Sequence, residues 1–288
     1  MIYGLAAAFG WGLADFFAAM SGRRMGSIAT VVLGQSISAV FMTIVLLATG
    51  TAVDPIASIA WVAVLNGILT AVAYSAHYRA LELGPVAVVS PLSAGYAVVG
   101  VALAIVILGE RPSPIALLGG AVVVVGAFLV STDLHALLQG IHERPPGLPW
   151  AIVSTIAFGV AGFLLAYASK HVGWVLALWA SRVAQIVCYT PLFAARRHDL
   201  ARLRTAAMAT VGFAVLAGMA DILGVTTYAA GAESGYVSIV LAASAVFPLI
   251  AVALSIAVLH ERLVMNQWVG VGAVVLGLLL LGLGSVSG

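Results

Sequence analysis

Apolar segments of about 20 residues recur along the whole chain and are separated by shorter polar stretches. Each segment is long enough to cross the roughly 30 Å of hydrocarbon in a bilayer. Backbone polar groups in hydrocarbon must be paired within the protein, so these segments are predicted to be α-helices rather than strands of an open sheet. The pattern predicts ten helices, over residues 2–20, 28–48, 58–80, 85–108, 113–131, 150–169, 173–194, 206–229, 235–258 and 264–284.

The composition excludes a soluble domain. Hydrophobic residues make up 63% of the chain and charged residues only 8%, whereas a soluble domain carries about 25% charged residues. The predicted fold class is therefore an all-α integral membrane protein that has the lipid bilayer as its main partner. The first apolar segment follows Met1 without a basic region or a small-residue cleavage site, so we interpret it as a retained helix rather than a signal peptide.

Charge and cysteine content exclude several kinds of site. The net charge of +2 is too small to indicate nucleic-acid binding, and the single cysteine, Cys188, excludes an intrachain disulfide and a cysteine-rich metal site. We expect no metal and no cofactor. Of the 12 Lys and Arg residues, nine follow odd-numbered predicted helices and two lie in the other loops, so the positive-inside rule predicts that both termini lie outside the cell.

A sequence repeat divides the chain into two similar halves. The pair Glu110–Arg111 returns 151 residues later as Glu261–Arg262. The same offset places Gly119 on Gly270 and Gly126 on Gly277. We therefore predict a first half over residues 1–131, a linker over 132–149 and a second half over 150–288, with five helices in each half.

An odd number of helices per half has a geometric consequence, because the second half must then cross the membrane in the opposite direction. Such inverted repeats are typical of transporters, whose substrate site lies near the middle of the bilayer between the two halves. The predicted architecture is a 5+5 inverted repeat around a central cavity. We expect each Glu-Arg pair to have a structural role at the junction of a half's fourth and fifth helices, where the glutamate pairs with the arginine at the membrane interface.

Three stretches carry a resemblance to a known family. The "WG" of the first helix, "LELGPVAVVSPLSAGYAVVGVALAIVILGERPSP" and "AVFPLIAVALSIAVLHERL" resemble the repeats of EamA-type transporters, which belong to the drug/metabolite transporter superfamily. The resemblance covers essentially the whole chain. It departs from the family pattern at His260, where glycine is usual, and in the sixth helix, which lacks a counterpart of Trp11.

The resemblance implies a fold and a broad function. It implies a multi-pass protein of the cell inner membrane, in which helices one to four and six to nine surround the cavity while helices five and ten lie at the periphery. Substrates in the superfamily include amino acids, nucleotide sugars, sugar phosphates and cationic drugs. Many such proteins have cytoplasmic termini, which disagrees with the orientation that the charges of this chain predict.

Three charged residues fall inside predicted membrane helices. A charge at the centre of a bilayer costs about 3 kcal/mol, so Asp15, Arg182 and Asp221 are expected to face protein or water rather than lipid. Arg182 and Asp221 could form a buried ion pair between helices seven and eight, or one of them could bind substrate or a proton. Asp15 could lie at the interface near Arg23 and Arg24, or it could be a cavity carboxylate that attracts a cation.

Polar and aromatic residues at helical spacing complete the candidate site. A polar stripe on a membrane helix faces the protein interior, so we predict that these residues line the cavity. His77 lies near the end of a predicted span and is expected to be a solvated interfacial residue. The predicted substrate-binding residues are Trp11, Asp15, Asn66, Thr70, Tyr74, Ser90, Ser93, Tyr96, Arg182, Gln185, Asp221 and Tyr228.

The sequence favours a carrier over other functions. It contains no HExxH, GxSxG or GxGD motif of an intramembrane enzyme and no GxxxxGK loop for ATP. No charged ring or filter sequence of a channel is visible. We therefore predict a secondary transporter, an exporter of a small polar metabolite such as an amino acid, working by alternating access. The alternative is a multidrug efflux carrier for cationic drugs. A passive channel or an intramembrane enzyme is less well supported, and the oligomeric state stays open, with a monomer compatible with the sequence.

Overall fold

The fold is all-helical throughout the part of the chain that the structure, a computed structural model, describes. The described residues are 1–83, 93, 95–131, 134, 147–195, 204–250, 253–254 and 264–286. Within them the helices are α1 (Ile2–Met25), α2 (Ser27–Thr49), α3 (Ile56–Leu83), α4 (Tyr96–Ile107), α5 (Pro114–Ser131), α6 (Leu148–Val172), α7 (Trp174–Ala195), α8 (Met208–Ser234), α9 (Val237–Ser244) and α10 (Met265–Val286). No strand occurs among these residues, which confirms the all-α class.

Many of the helices are long and apolar enough to cross a membrane. Six candidate spans occur in the described residues: Ile2–Gly22, Ile28–Thr49, Ile56–His77, Leu148–Val172, Met208–Ser234 and Met265–Gly284. Their outward faces carry large apolar side chains that a soluble protein would bury, such as Leu47, Val106 and Leu283. The molecule is therefore a multi-pass membrane protein, as the apolar pattern predicts. The passage of all ten predicted helices through the bilayer stays a prediction.

Glycine forms the sharp joint between the first two helices of each half. Gly26 lies between α1 and α2 with φ 92°, and Gly173 lies between α6 and α7 with φ 83°. This part of backbone space is costly for residues with a Cβ, so glycine lets two long helices follow each other without an intervening loop. The two joints occupy corresponding places in the two halves of the chain.

Each helix of the first half packs against helices of the second half. Helix α1 packs against α8, α2 against α7, α3 against α6, α4 against α9 and α5 against α10. Small residues allow the close approach. A Cβ on Gly10 would lie 2.4 Å from the backbone nitrogen of Gly224, and one on Gly218 would lie 2.8 Å from the Cα of Gly34. The two halves therefore form one helical body.

Helices α5 and α10 cross at the glycines that define the repeat. A Cβ on Gly119 would lie 2.8 Å from the carbonyl oxygen of Gly277, and one on Gly126 would lie 3.0 Å from that of Gly270. Residue numbers rise along α5 as they fall along α10, so the two helices are antiparallel. Glycine-rich faces on both helices allow this close packing. The structure shows that the partner is the other half of the same chain.

We expect Gly277→Ala to destabilise the protein, because the new methyl group would lie 2.6 Å from the backbone nitrogen of Val123. Overpacking of this kind costs about 1–3 kcal/mol, which a thermal unfolding curve in detergent would register. The matched control is Gly272→Ala on the same helix, where nothing lies within 4 Å of the added Cβ. Equal stability of the two variants would contradict the observed crossing of α5 and α10.

Candidate functional site

A cavity of about 160 Å³ lies between the two halves of the chain. Its described lining residues come from α1, α2, α3, α4, α6, α7, α8 and α9 or from positions next to these helices, and none comes from α5 or α10. This arrangement matches the expectation that the fifth and tenth helices are peripheral. A hollow enclosed by eight helices from both halves is the arrangement expected of a solute site.

The structure brings the predicted site residues together around this cavity. Those that line it are Trp11, Asp15, Asn66, Thr70, Tyr74, Ser93, Tyr96, Arg182, Gln185, Asp221 and Tyr228. Ser90 lies outside the described residues. The shared location follows from the helical stripes predicted by the sequence, whereas contact with a substrate stays a prediction.

Asp221 of α8 is the centre of a buried hydrogen-bond network. Its Oδ1 accepts a hydrogen bond from the Tyr74 hydroxyl at 2.8 Å. Its Oδ2 accepts one from Arg182 Nη2 at 3.0 Å and one from Gln35 Nε2 at 3.2 Å. The carboxylate is therefore held by side chains from three other helices, α2, α3 and α7.

Arg182 of α7 forms an ion pair with Asp221, and both side chains are almost fully buried. Its Nη1 donates to the side-chain oxygen of Gln185 at 2.8 Å and to that of Gln35. Arg182 Nε and Gln185 Nε2 have no hydrogen-bond partner among the described residues, but both atoms are shielded from the open space of the cavity. The pair therefore contributes no net charge, and the guanidinium is not presented to a solute in this conformation.

Gln35 is a site residue that the sequence-based prediction did not include. It lines the cavity and bonds to both members of the ion pair. Its position in the second helix corresponds to that of Arg182 in the seventh, so the repeat itself carries a signal for it. Phe158, which also lines the cavity, was missed because an aromatic residue in an apolar helix is not distinctive.

Asp15 of α1 differs from Asp221 in having no bonded partner among the described residues. It lines the cavity and is only partly buried. In the described part of the chain, its carboxylate forms neither a hydrogen bond nor an ion pair. The sequence left two interpretations of Asp15 open, an interfacial residue or a cavity carboxylate, and its position fits the cavity carboxylate. The ionisable Asp and Arg residues of the described lining are Asp15, Arg182 and Asp221, so their formal charges sum to −1.

Aromatic rings form one wall of the cavity. The ring of Trp11 meets that of Tyr96 edge to face, with centroids 6.1 Å apart, and lies 5.7 Å from that of Tyr228. The Tyr96 hydroxyl is 2.6 Å from that of Ser244, and the Tyr228 hydroxyl donates to the carbonyl of Gly162 at 2.9 Å. Both hydroxyls are already bonded to protein and both tyrosine side chains are buried, so the partly exposed ring of Trp11 is the member of this group most open to the cavity.

The expectation that His77 is a solvated interfacial residue is wrong. The side chain is buried and lines the cavity, where its Nδ1 lies 3.1 Å from the Ser93 hydroxyl. The ring also packs against Phe158, with centroids 6.0 Å apart. Helix α3 continues to Leu83, so His77 lies more than a turn inside the helix rather than at its end.

The expected pairing of Glu110 with Arg111 is also wrong. Glu110 is buried and accepts hydrogen bonds from Val237 and Ser238 at the start of α9, whereas Arg111 is exposed. Two free N–H groups at a helix start attract a carboxylate more strongly than an exposed neighbouring arginine does. Glu261 and Arg262 lie outside the described residues.

The helices pack closely at one end of the helical body, and the described cavity lining stops short of it. This N-terminal end of the body contains the start of α1 and the α8–α9 connection, and the opposite end is called the far end below. A Cβ on Gly4 would lie 2.5 Å from the carbonyl oxygen of Val240, and a Cβ on Gly231 would lie 2.4 Å from the Cβ of Tyr3. Along α1 the cavity lining begins at Trp11 and continues to Ala18, toward the far end.

The comparisons with known proteins agree with this architecture. The model of a family described as the EamA-like transporter family matches residues 1–132 and 145–283. A protein whose crystal structure has been solved is similar over 97% of this chain and 98% of its own, with a TM-score of 0.67 and 16% identity. At that identity the similarity shows a shared fold alone. No curated protein matches the chain.

Proposed function

Because the chain belongs to the EamA-like transporter family, we propose that it is a secondary transporter that carries a small polar solute by alternating access. Members of this family are transporters rather than enzymes. The observation that carries the proposal is the cavity between the two halves, which is lined by charged and aromatic side chains and stops short of the closely packed N-terminal end. Alternating access requires such a site, with a barrier on one side that can be exchanged for a barrier on the other.

The packing supports the 5+5 inverted repeat, with halves 1–131 and 150–288 joined by the 132–149 linker. Helices α2 and α7, α4 and α9, and α5 and α10 occupy corresponding places in the two halves, and the members of each pair pack together. Contacts indicate that the members of each pair are antiparallel. Gln35 meets Arg182 while Thr43 meets Trp179, and Tyr96 meets Ser244 while Gly100 lies against Leu241. Corresponding helices that run in opposite directions are the mark of an inverted repeat.

The charges of the cavity favour a solute with a positively charged amino group. Asp15 supplies a carboxylate without a bonded partner among the described residues, and the partly exposed ring of Trp11 provides a surface that attracts cations. An amino acid remains the leading substrate from the sequence. The Arg182 guanidinium is already paired with Asp221, so the carboxylate of a zwitterion could bind it only by breaking that ion pair. This specifically favours the second candidate, an organic cation without a carboxylate.

The proposal also covers the membrane that contains the protein, the direction of transport and the oligomeric state. We place the protein in the cell inner membrane with both termini outside, as the distribution of Lys and Arg predicts. The cavity would then be closed on the outside and extend toward the cytoplasm, which suits the loading of an exporter. The glycine faces of α5 and α10 pack against each other within one chain, so a monomer suffices.

Transport by purified protein in liposomes tests this function. Candidate solutes are first screened for a rise in the thermal unfolding temperature of the protein. They are tested in matched pairs, each consisting of an amino acid and the amine that its decarboxylation gives. We expect saturable uptake of the selected solute and stimulation by the same solute inside the vesicles, since a carrier returns faster when loaded. Flux that rises linearly with concentration and shows no such stimulation would indicate a pore and would contradict the proposal.

A further inference from the structure

Glu110 makes an unusual contact between the two halves of the chain. Its Oε1 accepts a hydrogen bond from the backbone N–H of Val237 at 2.7 Å. Its Oε2 accepts one from the backbone N–H of Ser238 at 3.0 Å and one from the Ser238 hydroxyl at 2.7 Å. A single side chain of the α4–α5 connection thus supplies three hydrogen bonds to the first turn of α9.

Helix α9 has no cap of its own. The residue before it, Tyr236, makes no side-chain capping bond. The first N–H groups of a helix lack partners within the helix and carry partial positive charge, so a carboxylate is the preferred cap. Glu110 provides this cap from 127 positions earlier in the chain. The start of α9 therefore keeps its bonded partner only while the two halves stay in contact at this end.

The capped turn lies at the closely packed N-terminal end. Gly4 of α1 is in close contact with Val240, one turn further along α9. The nearby α8–α9 connection is fixed by the Lys170 ammonium, which donates to the carbonyl of Gly235 at 2.7 Å. Glu110 and α1 thus both contact the first part of α9, and these contacts lie between the described cavity lining and the N-terminal end.

We propose that Glu110 is the latch of a gate at the N-terminal end. The inference rests on the proposed alternating-access function, since it assigns to Glu110 the interaction that is broken when this end opens. On opening, the start of α9 moves away from the α4–α5 connection, and water replaces the three bonds on both the carboxylate and the helix. Exchanging these three hydrogen bonds for hydrogen bonds to water changes the free energy only slightly. The Glu110 carboxylate can therefore stabilise the closed state without preventing opening.

A cysteine reporter of gate opening tests the latch. Ala8 is buried on α1 between Gly4 and Trp11, so a cysteine there is shielded while the gate is closed. In a Cys188→Ala background, which removes the native cysteine, we would measure the rate at which Ala8→Cys reacts with a bulky impermeant maleimide. We expect Glu110→Gln to speed the reaction about tenfold, the size of effect that loss of a strong helix cap produces.

Two further variants keep the test decisive. Arg111→Gln changes the exposed neighbour in the same way and should leave the rate unchanged. Ser238→Ala removes one of the three bonds and should raise the rate about threefold. Unchanged rates in Glu110→Gln and Ser238→Ala would overturn the latch, as would an equal rise in Arg111→Gln. If Glu110→Gln does not yield folded protein, the rate in Ser238→Ala decides alone.

The labelling result is independent of the transport result. Faster labelling in Glu110→Gln with no saturable transport by the parent protein would contradict the proposed function and leave a gate that Glu110 controls. Saturable transport with unchanged labelling would keep the function and overturn the latch. Transport kinetics of Ser238→Ala add a second readout, because a weakened latch should change the maximal rate more than the half-saturating concentration.

Discussion

Replacement of Asp15 by asparagine is expected to weaken binding of an amine-bearing solute by about 10- to 100-fold and to stop its transport. The estimate follows from the strength of hydrogen bonds to charged groups, about 1.5–3 kcal/mol, which the neutral amide would forfeit. The Asp15 carboxylate forms no hydrogen bond or ion pair with another described residue, so the substitution removes no such bond in that part of the chain. We therefore expect thermal stability in the absence of solute to stay at the level of the wild type.

The control for this prediction is Asp54→Asn, which makes the same change outside the cavity. Asp54 is exposed between α2 and α3, so the variant should bind and transport like the wild type. Binding is measured by thermal stabilisation or calorimetry, and transport in liposomes at several pH values. Wild-type transport by Asp15→Asn across that range would remove Asp15 from the site and would leave the cavity without its proposed anionic contact.

The matched ligand pairs extend the same argument to specificity. If the site prefers a cation, removal of the carboxylate from an amino acid should preserve or improve binding, and Asp15→Asn should reduce binding of the amine. If Arg182 instead turns toward the solute, the amino acid should bind better than its amine. The choice depends on whether the Arg182–Asp221 pair survives when solute is bound.

Much of the fold follows from the sequence because lipid leaves the backbone few alternatives. Long apolar runs must be helical, and the stripe of Asn66, Thr70 and Tyr74 must face away from lipid, so their meeting at one cavity was foreseeable. Small residues such as Gly119 and Gly277 also indicate that two helices cross at a short distance. These inferences need only the spacing of polar, apolar and small residues along a single helix.

Interactions between distant helices could not be obtained in this way. The partner of Glu110 lies 127 positions away, and the adjacent arginine offers an obvious but wrong alternative. The burial of His77 depends on how far α3 extends and on Phe158 of another helix. The sequence likewise identifies Asp15 and Asp221 as charges in the membrane, but only the packing reveals that one is paired and the other is not.

Asp221→Asn should have the opposite consequence from Asp15→Asn, namely a large loss of stability. The substitution leaves the Arg182 guanidinium buried without its counter-charge, and breaking one partner of a buried ion pair costs about 3–5 kcal/mol. It also weakens the bonds that Gln35 and Tyr74 make to the carboxylate. The expected result is a lower yield and a clearly lower thermal unfolding temperature in detergent, before any effect on transport is considered.

A double substitution separates the structural role of this pair from a direct role in transport. Arg182→Gln combined with Asp221→Asn removes both charges and should recover much of the stability lost in Asp221→Asn alone, since no unpaired charge stays buried. Tyr74→Phe removes a single bond to Asp221 and should cost about 1 kcal/mol. If Asp221→Asn instead retains wild-type yield and stability while transport fails, the aspartate acts on the solute or on a proton, and the ion pair is not what holds α7 against α8.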